Sequence, residues 1–550
     1  MKKISQIKFA FFLIAAIGLS VAAQNDNRQR IIVGATPTPT PVTRPAGPCP
    51  PGIPCSDPRY PTPTPTPTPA ASGQTIFDLQ AKIRQVLTRP ALRRGSLGVK
   101  IAALDTGKVV FEENAEKYFM PASNMKSFTV AAAMEKLSPN FRFVTSVLAG
   151  AQPDASGTIS GNLTIYGRGD VSFSTAFYGG DYYRGLDNLA ERIVQAGVKK
   201  IDGNLVGDES YFTGSPLPPG WEWDDLQWYY GAEVSALPLN DNALDLSVKP
   251  ASVGALCLVN LLPFNPVVRV VNTCKTTAAG VKRDLTIKKD LDQNVLEISG
   301  TMPAGDRGFT DYVTVSHPAE LFVALLKQRL EQKGVVITGQ PRVIGAKEKA
   351  LLMTGASAPV QIAQLESPPF GMVAAKTMKP SQNLYTETIL WTLGEQLGNK
   401  NNPKATSADR GLAVVRSFLN EIGVAPDGLI QYDGSGLSRH NLVTPAALVT
   451  VYSYMGKQSR YSAAWFDSLT IGGVDGTLKG RFRGAKTNGN VRGKTGTIDQ
   501  VSALSGYVTT AAGERLVFSI IVNGVRDGDL RVATIDEIVG QLANFDGRVN

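Results

Sequence analysis

The sequence contains few histidines and cysteines, and this scarcity excludes several kinds of site. Among its 550 residues there are only two histidines, His317 and His440, which lie far apart. They cannot form a histidine-rich zinc site by themselves. The four cysteines form two close pairs, and no Cys-x-x-Cys motif occurs. This pattern argues against a zinc ribbon or a thioredoxin-type redox site, and we expect neither a metal nor another cofactor.

Long apolar runs are also scarce, and the net charge is modest. Hydrophobic residues make up 43% of the chain and charged residues 19%, which is typical of a globular protein rather than a disordered or fibrous one. The formal net charge of +9 is spread along the whole chain, so we expect no nucleic-acid partner. The length exceeds that of one compact core and predicts two to four domains.

The N-terminus is typical of a secretory signal peptide covering residues 1–23. Three lysines within the first eight residues accompany a thirteen-residue apolar run at 9–21, and small residues follow up to Ala23. This run is short of the roughly twenty residues that span a membrane, and no cysteine follows it to indicate a lipoprotein. We therefore expect secretion across the inner membrane to the periplasm or cell envelope, with membrane association peripheral at most.

Residues 24–73 form a proline- and threonine-rich spacer in which Pro-Thr repeats occur near both ends. Proline fixes φ and removes a backbone donor, so this segment is predicted to be an extended, semi-rigid polyproline II chain. Export makes disulfide bonds plausible for both cysteine pairs, Cys49 with Cys55 in the spacer and Cys257 with Cys274 further on. Four free thiols are the alternative.

The patterns at the two ends of the folded chain differ from those in its middle. Helical spacing is predicted at 76–87, 121–137, 384–397, 409–422, 445–454 and 530–545, and β-strands at 97–102, 108–111, 502–508 and 515–522. Residues 139–357, called the insertion below, contain many glycines and short β-like runs. We predict an α/β catalytic domain built from residues 74–138 and 358–550, interrupted by this β-rich insertion of one or two domains.

Three short motifs in a fixed order carry the candidate chemistry. Ser123 and Lys126 are one helical turn apart and share a face of an apolar helix. A lysine held in a dry site loses part of its preference for the charged form, so it can accept the serine proton without a histidine. The second motif is Ser-Gln-Asn at 381–383, and the third is Lys-Thr-Gly-Thr at 494–497. Each motif alone is weak, and their order together with the export signal carries the interpretation.

With these motifs the chain resembles the class C low-molecular-mass penicillin-binding proteins, the D-Ala-D-Ala carboxypeptidase/endopeptidase family (serine peptidase family S13). Further matches are Trp-Glu-Trp-Asp-Asp at 221–225 with Tyr-Gly-Ala at 230–232, Ser-Ala-Leu at 235–237, Asp-Gly-Ser-Gly-Leu-Ser-Arg at 433–439 and Gly-Val-Asp-Gly-Thr at 473–477. The resemblance covers roughly residues 75–545. It implies a penicillin-recognising, transpeptidase-like domain with an antiparallel sheet flanked by helices, and the insertion fits because this family carries extra domains there.

The resemblance implies catalytic roles for five residues. Ser123 would attack the carbonyl of the penultimate D-Ala of a peptidoglycan stem peptide, and Lys126 would be its general base. Ser381 would relay protons between Lys126, Lys494 and the leaving amine. Asn383 would hold the substrate amide. β-Lactams would acylate the same serine.

The third motif would bind the end of the substrate. Lys494 and Thr495 would bind the terminal carboxylate, and Gly496 would let the substrate backbone lie against the strand. The backbone N–H groups of Thr497 and Ser123 would form the oxyanion hole.

Two weaker matches concern substrate choice. Asp170 would meet the free amine of diaminopimelate, and Arg439 would meet the carboxylate of the same group. The structural alternatives are that Asp170 is a turn residue and that Arg439 forms a surface ion pair.

Two other functions stay open. A β-lactamase is disfavoured, because the Glu-x-x-Leu-Asn and Tyr-x-Asn strings of two β-lactamase classes are absent from the sequence. A non-catalytic cell-wall-binding scaffold is the other alternative, and the intact Ser123, Lys126 and Lys494 argue against it.

Overall fold

The computed structural model describes residues 73–352 and 358–549. The predicted signal peptide, the predicted spacer up to residue 72 and the Cys49–Cys55 pair lie outside this part of the chain. Within it, no helix combines the length and apolar character needed to span a bilayer.

The helices and strands of the described residues follow the chain from end to end. The helices are α1 (Ile76–Leu87), α2 (Lys126–Leu137), α3 (Arg184–Gln195), α4 (Pro318–Gln332), α5 (Ala346–Leu352), α6 (Phe370–Met378), α7 (Asn383–Leu397), α8 (Ser407–Glu421), α9 (Pro445–Lys457), α10 (Ser462–Ser468) and α11 (Gly528–Asn544). The strands are β1 (Ser96–Ala103), β2 (Val109–Glu113), β3 (Val144–Ala149), β4 (Thr158–Ser160), β5 (Leu163–Tyr166), β6 (Lys200–Asp202), β7 (Leu205–Asp208), β8 (Ala243–Lys249), β9 (Leu258–Leu262), β10 (Arg269–Asn272), β11 (Lys275–Thr277), β12 (Asp284–Lys289), β13 (Val295–Pro303), β14 (Phe309–Thr314), β15 (Val336–Ile337), β16 (Pro341–Ile344), β17 (Val360–Glu366), β18 (Leu429–Ile430), β19 (Leu442–Val443), β20 (Thr470–Ile471), β21 (Arg492–Ile498), β22 (Val501–Thr509) and β23 (Arg515–Asn523).

A six-stranded antiparallel sheet joins the two ends of the folded chain. Its strand order is β2-β1-β23-β22-β21-β20, and Ile101 on β1 lies opposite Phe518 on β23. Side chains alternate between the two faces of a strand, so Phe518 packs with α1 and α11 on one face while Val517 joins the core on the other. The predicted antiparallel sheet flanked by helices is confirmed.

Helix α2 lies in the core, surrounded by other helices. Residues 126–134 are all buried, and α2 packs against α6, α7, α8 and α9. The prediction of a single helix from residue 121 is wrong in one respect. A short 3₁₀ turn, Ala122–Met125, precedes α2, and Ala122 has a φ of 46°. Ser123 therefore lies on a tight turn, and Lys126 is the first residue of the helix.

The insertion is mainly β-structure, as predicted, with two long helices, α3 and α4. Its largest sheet has the order β16-β7-β5-β3-β17, and smaller sheets contain β10–β13, β8 with β9 and β14, and β4 with β6 and β15. Strand β17 follows residue 357 but pairs with β3 of the insertion. The exact division of the chain into domains stays a prediction.

Cys257 and Cys274 meet in the buried core of the insertion. Their sulfur atoms are 2.14 Å apart and their Cα atoms 5.4 Å apart. The backbone N–H of Cys257 donates to the Cys274 carbonyl over 2.8 Å. The two cysteines lie at the Cα separation of a bonded pair, and the disulfide bond itself stays a prediction.

Candidate active site

Ser123 is presented by a turn that packs tightly against strand β21. A Cβ atom on Gly496 would lie 2.4 Å from the carbonyl oxygen of Pro121. On the other side of the turn, Gly436 has a φ of 86°, and a Cβ there would lie 1.9 Å from the carbonyl oxygen of Ala122. Glycine is therefore required at both positions, because any side chain would push β21 or the 433–439 loop away from the serine.

Lys126 lies one turn beyond Ser123 and is completely buried. Its Nζ is a hydrogen-bond donor to Ser123 Oγ at 2.9 Å, Asn383 Oδ1 at 2.5 Å and the Ser435 carbonyl at 2.8 Å. An ammonium group has three donors, and these acceptors use all of them. When the nitrogen loses a proton, its lone pair can accept the proton of Ser123 Oγ. The predicted serine–lysine pair is thus brought together with Asn383 of the second motif.

Burial determines the proton affinity of Lys126. Loss of solvation lowers its pKa from 10.5 to about 7, while the negative charges of Asp433 and Glu387 act in the opposite direction. A base with a pKa near the working pH is the most effective proton acceptor. The environment of Lys126 therefore suits proton transfer from Ser123 at neutral pH.

Two buried carboxyl groups lie near Lys126, and the sequence prediction assigned a role to neither. Glu387 accepts the backbone N–H of Gly434 at 3.0 Å and that of Ser435 at 2.7 Å, and Ser435 holds Lys126 through its carbonyl. Burial and the charge of Asp433 raise the pKa of Glu387 to about 8. The available signal was an acidic residue one helical turn after Asn383 in the largely apolar α7.

Asp433 organises the loop that follows. Its carboxylate accepts the backbone N–H groups of Gly436 and Ser438, each at 2.7 Å. It also accepts Asn441 Nδ2 at 2.8 Å and the indole N–H of Trp221 at 2.9 Å. Trp221 belongs to the insertion, so the matched stretch at 221–225 bonds directly to the matched stretch at 433–439.

The second and third motifs meet at Lys494. Its Nζ is a donor to Ser381 Oγ and to the Thr495 carbonyl, each at 2.8 Å. Burial and the charge of Lys126 hold the pKa of Lys494 well below its usual value. The hydroxyl of Thr495 donates to that of Thr477 at 2.7 Å, a residue of the matched stretch 473–477. These contacts connect all three motifs into one site.

Ser381 has the left-handed φ of 66°, which is uncommon for a residue other than glycine. Such a conformation persists only where the surroundings hold it, and it is often found at functional sites. Asn383, two residues further on, is the first residue of α7. Its Nδ2 donates a hydrogen bond to the Tyr230 carbonyl at 2.8 Å. The insertion therefore contacts the second motif directly.

The remaining predicted residues lie outside this network. Thr497 is an exposed residue of β21, on the same strand as Lys494. Asp170 is buried, accepts the backbone N–H of Ser172 at 2.9 Å, and has its pKa raised to about 6 by burial. Arg439 pairs with Glu222 at 2.9 Å and donates to the Asp499 carbonyl. Among the described contacts, none joins Asp170 or Arg439 to the three motifs.

The predicted acylation of Ser123 by a penicillin should depend on pH through Lys126, the predicted base. Only a neutral lysine can accept the serine proton, so below pH 7 the rate constant should fall about tenfold for each pH unit and above it should level off. Stopped-flow acylation between pH 5 and 8 measures this, with circular dichroism showing that the fold persists. A rate constant that does not change over this range would contradict the role given to Lys126.

Gly496→Ala is predicted to slow acylation about a hundredfold. The new Cβ would lie 2.4 Å from the Pro121 carbonyl and 2.9 Å from Asn124 Nδ2, so β21 must move away from Ser123, and small misplacements are costly in catalysis. Gly480→Ala is the matched control, because a Cβ there meets no described heavy atom within 4 Å. Acylation of Gly496→Ala at the parent rate would show that the close approach is unimportant.

Comparison with known proteins agrees with this geometry. Residues 79–545 match the family model described as "D-Ala-D-Ala carboxypeptidase 3 (S13) family". A D-alanyl-D-alanine carboxypeptidase of Actinomadura sp. (strain R39) is 32% identical over 492 residues, which cover 87% of this chain and 86% of that protein. D-alanyl-D-alanine carboxypeptidase DacB of Haemophilus influenzae is 26% identical over 455 residues, or 82% of this chain and 89% of the relative.

A solved structure shows the same fold. The crystal structure of penicillin binding protein 4 (dacB) from Haemophilus influenzae superposes with a TM-score of 0.71 at 23% identity, covering 86% of this chain and all of that one. The fold, the family match along nearly the whole described chain and the 32% identical relative agree with each other. This chain belongs to the D-Ala-D-Ala carboxypeptidase 3 (S13) family.

Proposed function

We propose that this protein is a serine-type D-Ala-D-Ala carboxypeptidase that hydrolyses peptidoglycan stem peptides through an acyl-enzyme on Ser123. The observation that carries the proposal is the 2.9 Å contact between Ser123 Oγ and a buried lysine whose pKa is about 7. The family membership and the relatives named as D-alanyl-D-alanine carboxypeptidases support the reaction class. A serine hydroxyl within hydrogen-bond distance of a buried lysine favours this function over a non-catalytic scaffold.

In the first half of the reaction, neutral Lys126 takes the proton of Ser123 Oγ. The oxygen then attacks the carbonyl carbon of the penultimate D-Ala, forming a C–O bond. As the C–N bond to the terminal D-Ala breaks, the proton held by Lys126 passes to the leaving amine, relayed by Ser381, which lies beside Lys494. Water then loses a proton to neutral Lys126 as its oxygen attacks the ester carbonyl. Lys126 passes that proton to Ser123 Oγ as the ester C–O bond breaks, which releases the shortened peptide and restores the site.

The third motif binds the substrate in this proposal. Lys494 and Thr495 meet the terminal carboxylate, and the linked hydroxyls of Thr495 and Thr477 provide polar contacts beside it. The backbone N–H groups of Ser123 and Thr497 stabilise the negative oxygen of the tetrahedral intermediate. β-Lactams would acylate Ser123 in the same way.

The same site is proposed to cleave D-Ala–diaminopimelate cross-links if the cleft admits them. Asp170 and Arg439 are the proposed contacts to the diaminopimelate group. One oxygen of Asp170 is buried without a hydrogen-bond partner among the described residues, which supports a role in binding. Arg439 is held by Glu222, so a substrate carboxylate would have to compete with that ion pair.

Digestion of purified peptidoglycan, with the products resolved by mass, tests the reaction itself. The proposal predicts release of free D-Ala from pentapeptide stems. Loss of cross-linked dimers is scored separately and reports endopeptidase activity. Failure to release D-Ala and failure to cleave cross-links would together contradict the proposed function.

Ser123→Ala is predicted to abolish the penicillin adduct. The parent protein should gain the mass of one penicillin, because Ser123 Oγ is the group that opens the lactam ring. Ser127→Ala is the matched control: this serine lies in α2, four residues after Ser123, and its hydroxyl forms a hydrogen bond with that of Tyr452. Intact-mass spectrometry measures all three proteins. An adduct on Ser123→Ala would place the nucleophile elsewhere.

Lys494→Ala is predicted to slow hydrolysis of peptides ending in D-Ala-D-Ala by about ten- to a hundredfold, the cost of one charge-assisted hydrogen bond. A thioester without the terminal carboxylate should be affected much less, because it makes no such contact. Steady-state kinetics on both substrates separates the two effects. Equal losses on both would assign Lys494 to proton transfer instead of carboxylate binding.

We also propose an exported, disulfide-bonded protein that works in the periplasm or cell envelope. The mature chain is predicted to begin at Gln24, and Cys257 to be bonded to Cys274. Such a link contributes about 3 kcal/mol by the loop-entropy model. N-terminal sequencing and non-reducing peptide mapping of envelope-purified protein test both points. An intact N-terminus, or free thiols at both cysteines, would refute the corresponding part.

A further inference from the structure

A segment of the insertion adopts an unusual conformation close to the second motif. Asn240, Asp241 and Asn242 have φ values of 47°, 63° and 52° in succession, and each is at most 9% exposed. Left-handed backbone is uncommon for residues other than glycine, and three such residues in a row must be held by their surroundings. The side chains on either side of Asp241 provide that hold. Asn240 Nδ2 donates to the Tyr182 carbonyl, and Asn242 Nδ2 donates to the Glu233 carbonyl.

This turn directs the carboxylate of Asp241 towards the start of α7. Its Oδ1 accepts the hydroxyl of Tyr385 at 2.5 Å and that of Ser174 at 2.7 Å. Its Oδ2 accepts Nε2 of Gln382 at 3.1 Å. Gln382 is the middle residue of the second motif, and Tyr385 lies in the first turn of α7. One residue of the insertion therefore bonds to two residues around the start of α7.

Gln382 is fixed at both ends of its side chain. Its Oε1 accepts the backbone N–H of Leu384 at 3.3 Å, which caps α7, so its Nε2 must be the group that faces Asp241. Its backbone is held as well: the N–H donates to the Thr377 carbonyl, and the carbonyl accepts the Thr386 hydroxyl. The Nε2 group of Gln382 therefore needs a hydrogen-bond acceptor on the side where Asp241 lies.

The residues on either side of Gln382 bind the two lysines of the site. Ser381 Oγ accepts from Lys494 at 2.8 Å, and Asn383 Oδ1 accepts from Lys126 at 2.5 Å. Because Gln382 is joined to both residues through planar peptide bonds, a shift of its backbone would displace Ser381 and Asn383. Gln382 thus lies between the two residues that accept hydrogen bonds from the lysines.

We propose that Asp241 is a positioning residue for catalysis: it holds Gln382, and through it Ser381 and Asn383, in the arrangement that Ser123 acylation requires. The insertion is then part of the catalytic machinery in addition to its proposed role in substrate choice. This inference rests on the proposed function, because it assumes that Ser123 is the nucleophile.

A polarity swap tests this inference. In Asp241→Asn, one carboxylate oxygen becomes an N–H₂ group. Facing Gln382 Nε2 this group would set two donors together, and facing Tyr385 and Ser174 it would remove the acceptor of both hydroxyls. In Gln382→Glu, the introduced carboxylate would face the carboxylate of Asp241, and two acceptors would meet. In the double variant the introduced amide can donate to the introduced carboxylate, whose other oxygen still accepts the Leu384 N–H. Ser174 and Tyr385 keep an acceptor in the double variant.

The measured quantity is the second-order rate constant for acylation by a fluorescent penicillin, normalised to the folded fraction. We expect each single variant to be slower by about ten- to a hundredfold, and the double variant to recover to within about threefold of the parent. Asp187→Asn is the matched control: Asp187 pairs with Arg329 inside the insertion, away from the three motifs. The Asp187→Asn protein should be acylated at the parent rate even if its unfolding temperature falls.

The outcomes separate the inference from the proposed function. A parent protein that does not acylate would refute the proposed function. A parent that acylates while both single variants keep its rate would refute the role of Asp241 alone, and so would slow single variants without recovery in the double variant. Gln382→Ala provides a second route if Asp241→Asn does not fold. Acylation of Gln382→Ala at the parent rate would likewise overturn the inference.

Discussion

The site depends on the burial of one amine, that of Lys126. Removing an ammonium group from water is costly, and the protein offsets this cost with three acceptors at 2.9 Å or less, with the nearby charge of Asp433 and, in its ionised form, with that of Glu387. The balance leaves Lys126 with a pKa of about 7. At neutral pH the amine is therefore protonated in part of the molecules, and its neutral form can accept a proton. Most other features of the site serve either to exclude water from this amine or to hold its acceptors.

The acceptors around Lys126 are held in position by residues from distant parts of the chain. Asn383 begins α7, Ser435 belongs to the 433–439 loop, and that loop is fixed by Asp433 and Glu387. The insertion bonds to this assembly through the Tyr230 carbonyl and through Trp221. The insertion therefore forms hydrogen bonds with two of the residues near Lys126, Asn383 and Asp433.

The sequence was informative where the interaction is local. The spacing of Ser123 and Lys126 predicted their contact, and the apolar patterns predicted α1, α7 and the paired strands β22 and β23. It was less informative where partners are far apart in the chain. Glu387 and Asp241 are single acidic residues whose partners are set by tertiary folding. The 3₁₀ turn at residues 122–125 was missed because the left-handed φ of Ala122 depends on packing against Gly436 and β21.

The acylation rate of Lys126→Met tests the central claim most directly. Methionine has nearly the shape of lysine and tolerates an apolar site, but it cannot accept a proton. General-base catalysis contributes about 10²–10⁴-fold, so the account predicts a loss of that size in the second-order rate constant for penicillin, normalised to the folded fraction. A Lys126→Met protein that acylates within about tenfold of the parent rate would contradict the claim that a buried, neutral Lys126 activates Ser123.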